Sequence, residues 1–337
     1  MNINNSLHLV KNIFDEEKIE KVKTRDGYGK GLVEAGMKNE NVVVLCADLT
    51  ESTRSQWFAE KFPARFVEMG VAEQNMATVA SGMAAAGKVV FISSYAAFSP
   101  GRNNEQIRTT VSYNSWGSKK GKEINVKIAG AHAGISVGPD GATHQALEDI
   151  GLMRIQPGMT VVVPADVHEA QKATVALSEW SGPGYIRFGR ADYPVFTTEK
   201  TPFKIGKAYI IGEGKDVTIA ACGPLVYKAI IAAKQLEEEG ILCEVINNHT
   251  VKPLDGATIE KSVRKTGALV TAEEHQVMGG MGSAISEYLA QHYPVPQEFV
   301  GVQDRFGESG NSDELLEKLG MGVEDIKEAV KKVLKRK

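Results

Sequence analysis

Cysteine is scarce in this sequence: Cys46, Cys222 and Cys243 are the only three among 337 residues. They lie far apart in no metal-ligand spacing. An odd, unpatterned count fits reduced thiols in a cytosol rather than a secreted disulfide framework. Long hydrophobic runs are missing too. No uncharged apolar stretch approaches the ~18 residues that a membrane span needs, and the opening MNINNSLHLVKNIFDEEKIE has no signal-peptide core. A cytoplasmic location is the expectation. Nor is charge of one sign in excess. The net charge of −3, with a pI near 6.2, gives no electrostatic case for nucleic acid or an anionic membrane as a partner. The basic ending KKVLKRK reads as a solvated last helix turn.

What is present is a globular composition, 42% hydrophobic and 24% charged, on a chain long enough for two domains. Candidate strands are NVVVLCA (41–47), KVVFIS (88–93), INVKIAG (124–130), MTVVVPA (159–165) and PGYIRFG (183–189). Helical spacing fills residues 73–86, 105–111, 145–154 and 167–180. Strands alternating with helices of this length predict a parallel sheet covered by helices, an α/β fold. Residues 191–205 hold two prolines and no clear period, so they read as a linker. A second α/β series follows: strands over 216–222, 241–247 and 268–274, with helices over 224–239, 255–265 and 278–291. The expected division is an amino-terminal extension over 1–20, a first domain over 21–190 and a second over 206–337.

Ligands of open α/β sheets bind beyond the carboxyl ends of the strands, so the polar loops there carry the candidates. The loop AGAHAGISVGPDGATHQALED (129–149) is the richest, with His132, His144 and Asp140 among its glycines. Glu73 opens a helix after a short apolar run, in VEMGVAEQNMATVA. Taken singly, each has a sufficient structural role. An acid in a first helix turn gains about 0.3–1 kcal/mol from the dipole without any function. Asp48, Ser52 and Thr53 can be caps, Arg25, Arg102 and Arg190 surface cations, and Tyr95 and Phe98 core. Two other patterns carry little: GGMGSA (279–284) departs from the dinucleotide-loop spacing, and EEH (273–275) suits no helix-face metal site.

Joint occurrence carries more than any single motif. GVAEQNM, HAGISVGPDGATHQALED and GRADYP, in this order, closely resemble the pyrimidine-binding and C-terminal domains of transketolase, over residues 24–333. The resemblance implies a thiamin-diphosphate-binding pyrimidine domain, a parallel sheet covered by helices, followed by a smaller transketolase C-terminal α/β domain. It implies that Glu73 hydrogen-bonds N1′ of the cofactor pyrimidine and promotes its imino tautomer. An acid buried in an apolar corner would hold its proton there. Phe98, with Tyr95 nearby, matches the ring that stacks on the pyrimidine. Arg25, Ser52 and Arg190 match phosphate contacts, and His132 a position at the sugar phosphate. Asp140 matches the reader of a sugar hydroxyl and His144 the contact to the donor C1 hydroxyl. Asp48 matches the acid that reaches the cofactor across a dimer interface.

Departures qualify this expectation. SSYAAFSPGRNNEQIR is one residue longer than the family's run, and residues 1–20 have no counterpart. The family's Gly-Asp-Gly turn with its downstream Asn pair, which holds the diphosphate and a Mg²⁺ or Ca²⁺ ion, is absent from the sequence. The resemblance therefore implies the carboxy-terminal subunit of a two-chain transketolase, a heterotetramer whose amino-terminal partner holds the metal. That subunit would be inactive alone. Alternatives are the β-type subunit of a 2-oxo-acid dehydrogenase, a deoxyxylulose-phosphate synthase-like enzyme, or a non-catalytic scaffold subunit.

Overall fold

A run such as VVVLC, with no polar alternation, suits a strand covered on both faces. In the computed structural model, which describes residues 1–119 and 123–337, all five of these residues are buried. The first half of the chain runs β1 (Asn2–Ile3), β2 (Lys21–Lys23), α1 (Thr24–Lys38), β3 (Val42–Cys46), α2 (Gln56–Lys61), β4 (Phe66–Glu68), α3 (Glu73–Ala85) and β5 (Val89–Tyr95). It continues through α4 (Asn104–Gln106), which passes into a π-helical stretch Ile107–Tyr113, then β6 (Val126–Ala131), α5 (Asp149–Arg154), β7 (Thr160–Val162), α6 (Val167–Glu179), β8 (Gly184–Arg187) and β9 (Asp192–Pro194). The second half is β10 (Tyr209–Glu213), β11 (Val217–Ala221), α7 (Leu225–Glu238), β12 (Cys243–Asn247), β13 (Thr250–Lys252), α8 (Gly256–Thr266), β14 (Leu269–Gln276), α9 (Met281–His292), β15 (Gln297–Val302), α10 (Ser312–Lys318) and α11 (Val323–Leu334).

The first sheet has the order β13-β7-β8-β6-β5-β3-β4, parallel throughout except for β13, which joins it antiparallel from the second half. The second has the order β1-β10-β12-β11-β14-β15, parallel from β12 to β15 and closed by the antiparallel β10 and β1. This is the α/β architecture that the alternation of patterns predicts. No helix among the described residues is long and apolar enough to cross a membrane. The three cysteines are buried and unpaired.

Several local expectations change. The helix expected over 145–154 starts only at Asp149, because Gln145 donates instead to the Ile135 and Glu308 carbonyls and Ala146 bridges to Ala133. Helix α1 lies outside the helices expected from spacing, since four glycines dilute its apolar pattern. Gly27 is needed for contact: a Cβ there would stand 2.1 Å from the Val167 carbonyl oxygen, at the start of α6.

The segment read as a linker is ordered. Its β9 pairs with β2, and the buried Asp166 carboxylate collects the Phe196 and Thr197 amides at 3.1 and 2.8 Å and the Thr197 hydroxyl at 2.7 Å. Residues 1–20 are equally integrated. β1 pairs with β10 in the second sheet, and Leu7, Ile13 and Ile19 are buried in one apolar cluster with Phe196 and α7.

Candidate active site

Parallel pairing of β3, β5, β6 and β8 brings their carboxyl ends side by side, which is where this fold places ligands. Tyr95 ends β5, and His132 follows β6 with its ring stacked on Tyr95 at 4.0 Å and 25°. His132 adopts a left-handed backbone, φ 52°, a strain on the order of 1–3 kcal/mol that clusters at functional sites. It is buried, and its Nδ1 has no hydrogen-bond partner. Burial first, then the nearby charges of Arg25, Arg190, His144 and Arg54, push its pKa down to about 3. The imidazole is thus neutral at physiological pH, with one nitrogen free to meet a ligand.

The cations around it are unevenly compensated. Arg54 Nε pairs with Asp26 Oδ1 at 2.6 Å. Arg25 donates to the Ser52 carbonyl at 2.9 Å and Arg190 to the Val137 carbonyl at 3.0 Å. Among the described residues neither has a carboxylate within ion-pair reach, and Arg25 Nε is buried without a partner. Two guanidiniums whose charge is left to the site suit an anionic group. Arg54, which was not a candidate, joins them through its field on His132. Its place after the Ser52–Thr53 pair was the available signal.

The pH consequence follows from the sign of the shift. Burial also lowers His249 to about 3. Between an unfolded value near 6.5 and about 3, the unfolded chain takes up protons that the folded one refuses. Stability present above about pH 6.5 should therefore fall steadily as the pH drops through that window. Thermal midpoints between about pH 7 and 4 check this, and His132→Gln should flatten part of the decline. An NMR titration showing His132 protonating near its ordinary value would contradict it.

Glu73 begins α3 and is 2% exposed. Its Oε2 accepts from Arg102 Nη1 at 2.7 Å, and Ser94 Oγ lies 3.5 Å from Oε1. The buried Asn103 amide ties the Glu73 carbonyl to Ser99 Oγ, both at 3.1 Å. The expectation of an acid in a purely apolar corner is corrected here: the carboxylate has a cation beside it, because the tight turn after Phe98 brings Arg102 back over the helix start. The preceding apolar run is also more open than expected, with Val71 70% exposed on the approach to α3. The same guanidinium lies over the Phe98 ring, 4.6 Å from its centroid.

A slot between Glu73 and Phe98 thus accepts a flat, cationic hydrogen-bond donor. An aminopyrimidine shares the flat shape, and its ring nitrogen and amino group can hydrogen-bond a carboxyl group beside an aromatic face, so the residues present fit that end of thiamin diphosphate. His144, half-buried, sets its ring edge-on to Phe98 at 5.4 Å and 76°, and to Tyr95 at 6.1 Å and 66°. Its Nδ1 lies 2.9 Å from Thr143 Oγ1.

The structure therefore brings together Glu73, Arg102, Phe98, Tyr95, His132 and His144, with Arg25 and Arg190 nearby. Ser52 contributes its carbonyl rather than its hydroxyl. Asp140 is the exposed end of an otherwise largely buried 3₁₀ turn, Ile135–Asp140, four residues before His144. Asp48 is exposed at the end of β3, with φ 57° and its amide held by Glu68 Oε1 at 2.8 Å. Among the described residues no ion pair joins Asp48 or Asp140 to the cluster. The two sequence patterns set aside earlier have structural duties. Glu273 caps α9 through the Met281 and Gly282 amides at 2.6 and 2.8 Å, placing an acid where a dinucleotide loop would need a pyrophosphate.

Fold and site together define a thiamin-type pyrimidine-binding α/β unit followed by a second α/β domain. The family model for the transketolase pyrimidine binding domain matches residues 20–195, and that for the transketolase C-terminal domain matches 206–326. The chain belongs to the transketolase family and is a transferase subunit of that type. It is 42% identical over 315 residues to the putative transketolase C-terminal section of Methanocaldococcus jannaschii, covering 93% of this chain and 96% of that protein. It is 41% identical to a 6-deoxy-6-sulfo-D-fructose transketolase subunit of a Clostridium species, over 96% and 98% of the two chains. A solved split-gene transketolase, an inactive β4 tetramer, superposes with a TM-score of 0.86 at 46% identity, over 93% of this chain and 99% of that one.

Proposed function

We propose that this chain is the carboxy-terminal subunit of a two-chain, thiamin-diphosphate-dependent transketolase. It moves a two-carbon ketol unit from a ketose phosphate to an aldose phosphate in the cytoplasm. The observation that carries the reading is the convergence of a pyrimidine slot, Glu73 with Phe98, and an anion-suited cluster, His132 with Arg25 and Arg190, on neighbouring strand ends. The residue division follows the same reading: a pyrimidine-binding domain over 21–190 and a C-terminal domain over 206–337.

Bound thiamin diphosphate supplies the electron sink for the transferred unit. Glu73 hydrogen-bonds the pyrimidine N1′, and Phe98, backed by Tyr95, fixes the plane of that ring. The neutral His132 lies at the sugar phosphate, which Arg25 and Arg190, with Ser52, hold, while His144 meets the donor C1 hydroxyl and Asp140 reads a further hydroxyl. Asp48 faces outward, as a residue serving the cofactor of a neighbouring copy must. The diphosphate and its Mg²⁺ or Ca²⁺ require donors that this sequence lacks, so an amino-terminal partner with a Gly-Asp-Gly turn and Asn pair grips them within a heterotetramer.

The test mixes the purified chain with that partner, thiamin diphosphate and Mg²⁺, then supplies xylulose 5-phosphate and ribose 5-phosphate. Sedoheptulose 7-phosphate is the expected product, and its absence would overturn the reading. The likeness to a sulfofructose transketolase subunit supports a second donor class, since a terminal sulfonate meets the same arginine donors. Comparing kcat/KM for phosphate-ended and sulfonate-ended ketoses ranks the two.

A further inference from the structure

We infer that Glu274, on β14 of the second domain, is a positioning residue for the loop that bears Asp140 and His144. On this view the second half of the chain sets substrate geometry as well as assembly. The inference rests on the ketol-transfer reading for what that loop does, but not for how it is held.

Consecutive residues of a strand point to opposite faces. Glu273 turns toward α9, whereas Glu274 turns toward the first domain, where its Oε1 accepts from the Ser136 amide at 2.5 Å. The contact joins residues 138 positions apart. Gly134 makes room for it: with φ +87°, it stands where a Cβ would lie 2.5 Å from Glu274 Oε1. The strand itself is tied to the far end of the loop. Arg187 Nη2 donates to the Glu274 carbonyl at 2.7 Å and lies 3.4 Å from that of Ala146, while its Nε pairs with Asp149 at 2.8 Å.

Ser136 is the pinned residue. Besides Glu274 it is held by Ser312 Oγ, which donates to its carbonyl at 2.7 Å, and by the Tyr193 hydroxyl at its own Oγ. Next along the chain is Val137, whose carbonyl orients Arg190. The Glu274 anchor therefore acts on both Asp140 and a phosphate-reading arginine. Burying a carboxylate fully is costly. Burial raises the pKa of Glu274, an effect that the nearby Arg187 charge only partly opposes, and its acceptor oxygen fixes a loop that otherwise has glycines at 134, 138 and 141. A displacement of about 1 Å can reduce catalysis roughly a hundredfold, so an anchor at this point has leverage.

Glu274→Ala in the complete two-chain enzyme should raise KM for the sugar phosphates roughly tenfold or more. Half-saturation by thiamin diphosphate should stay unchanged, since neither Glu73 nor Phe98 is on the loop. Glu274→Gln, which keeps an acceptor for the Ser136 amide, should restore most of the loss. Hydrogen exchange on the full chain supplies a readout free of any assumption about the reaction. Amides over 135–145 should exchange at least about tenfold faster in Glu274→Ala, while α3 is unaltered. If the Ala variant does not fold, Ser312→Ala, which frees the carbonyl side of Ser136, should give the same exchange pattern. Unchanged loop exchange would overturn the inference, as would a cofactor affinity falling in step with KM, or a Gln variant as impaired as the Ala one. Failure of ketol transfer itself leaves the exchange result standing, so the two ideas fail separately.

Discussion

Replacing Glu73 by Gln should slow turnover of the complete enzyme by about 10²–10⁴-fold, the span of a positioned acid–base group. The unfolding midpoint should barely move. Gln keeps the shape of the buried side chain, and the Arg102 guanidinium that loses its ion pair is 46% exposed and can turn to water. The measurement is single-turnover rate and thermal midpoint on the same preparation. A large loss of rate without loss of fold assigns the acid to chemistry. If the complex turns over normally with Gln or Ala at 73, the scaffold alternative gains the argument.

A second substitution should show the opposite signature. Asp149 is 1% exposed, and its Oδ2 accepts from the Tyr185 hydroxyl at 2.6 Å and from Arg187 Nε at 2.8 Å. Burial works against the charge on Arg187, yet Asp149 and Glu274 together hold its pKa above the ordinary arginine value. Burial and the adjacent Asp149 carboxylate keep Tyr185 firmly protonated, hence a permanent donor. Asp149→Ala removes the shared acceptor and strands a 3% exposed guanidinium. The expected cost is about 3–5 kcal/mol, read as a fall in denaturant midpoint at unchanged slope. Asp149→Asn, retaining an acceptor oxygen, should lose less. A midpoint within error of the parent would mean that Arg187 finds other partners.

The sequence foretold whatever rests on local pattern. Short, largely apolar runs rich in β-branched residues announced β3, β5, β6, β11 and β12, a composition that suits strands covered on both faces. Motif order singled out Glu73, His132, Asp140, His144 and Arg190 as candidates, and of these the structure gathers Glu73, His132 and His144 while Asp140 stays apart. Hidden were the features made by distance along the chain. The Arg102–Glu73 pair depends on a turn whose path no period encodes. β9 and β13 are three residues each and acquire strand geometry only from partners elsewhere. EEH looked like a failed metal motif because its acids serve backbone amides 8 and 138 residues away.

The crossing of β13 into the first sheet, with β1 entering the second, has a practical corollary. The molecule is stitched rather than hinged. Severing it near residue 206 would strip β7 of its edge neighbour and leave β10 without its outer strand. Each fragment would then show a raw hydrogen-bonding border of the kind that recruits foreign strands. Neither piece should survive as an independent module, and an engineer wishing to swap halves between homologues must carry the seam across with them.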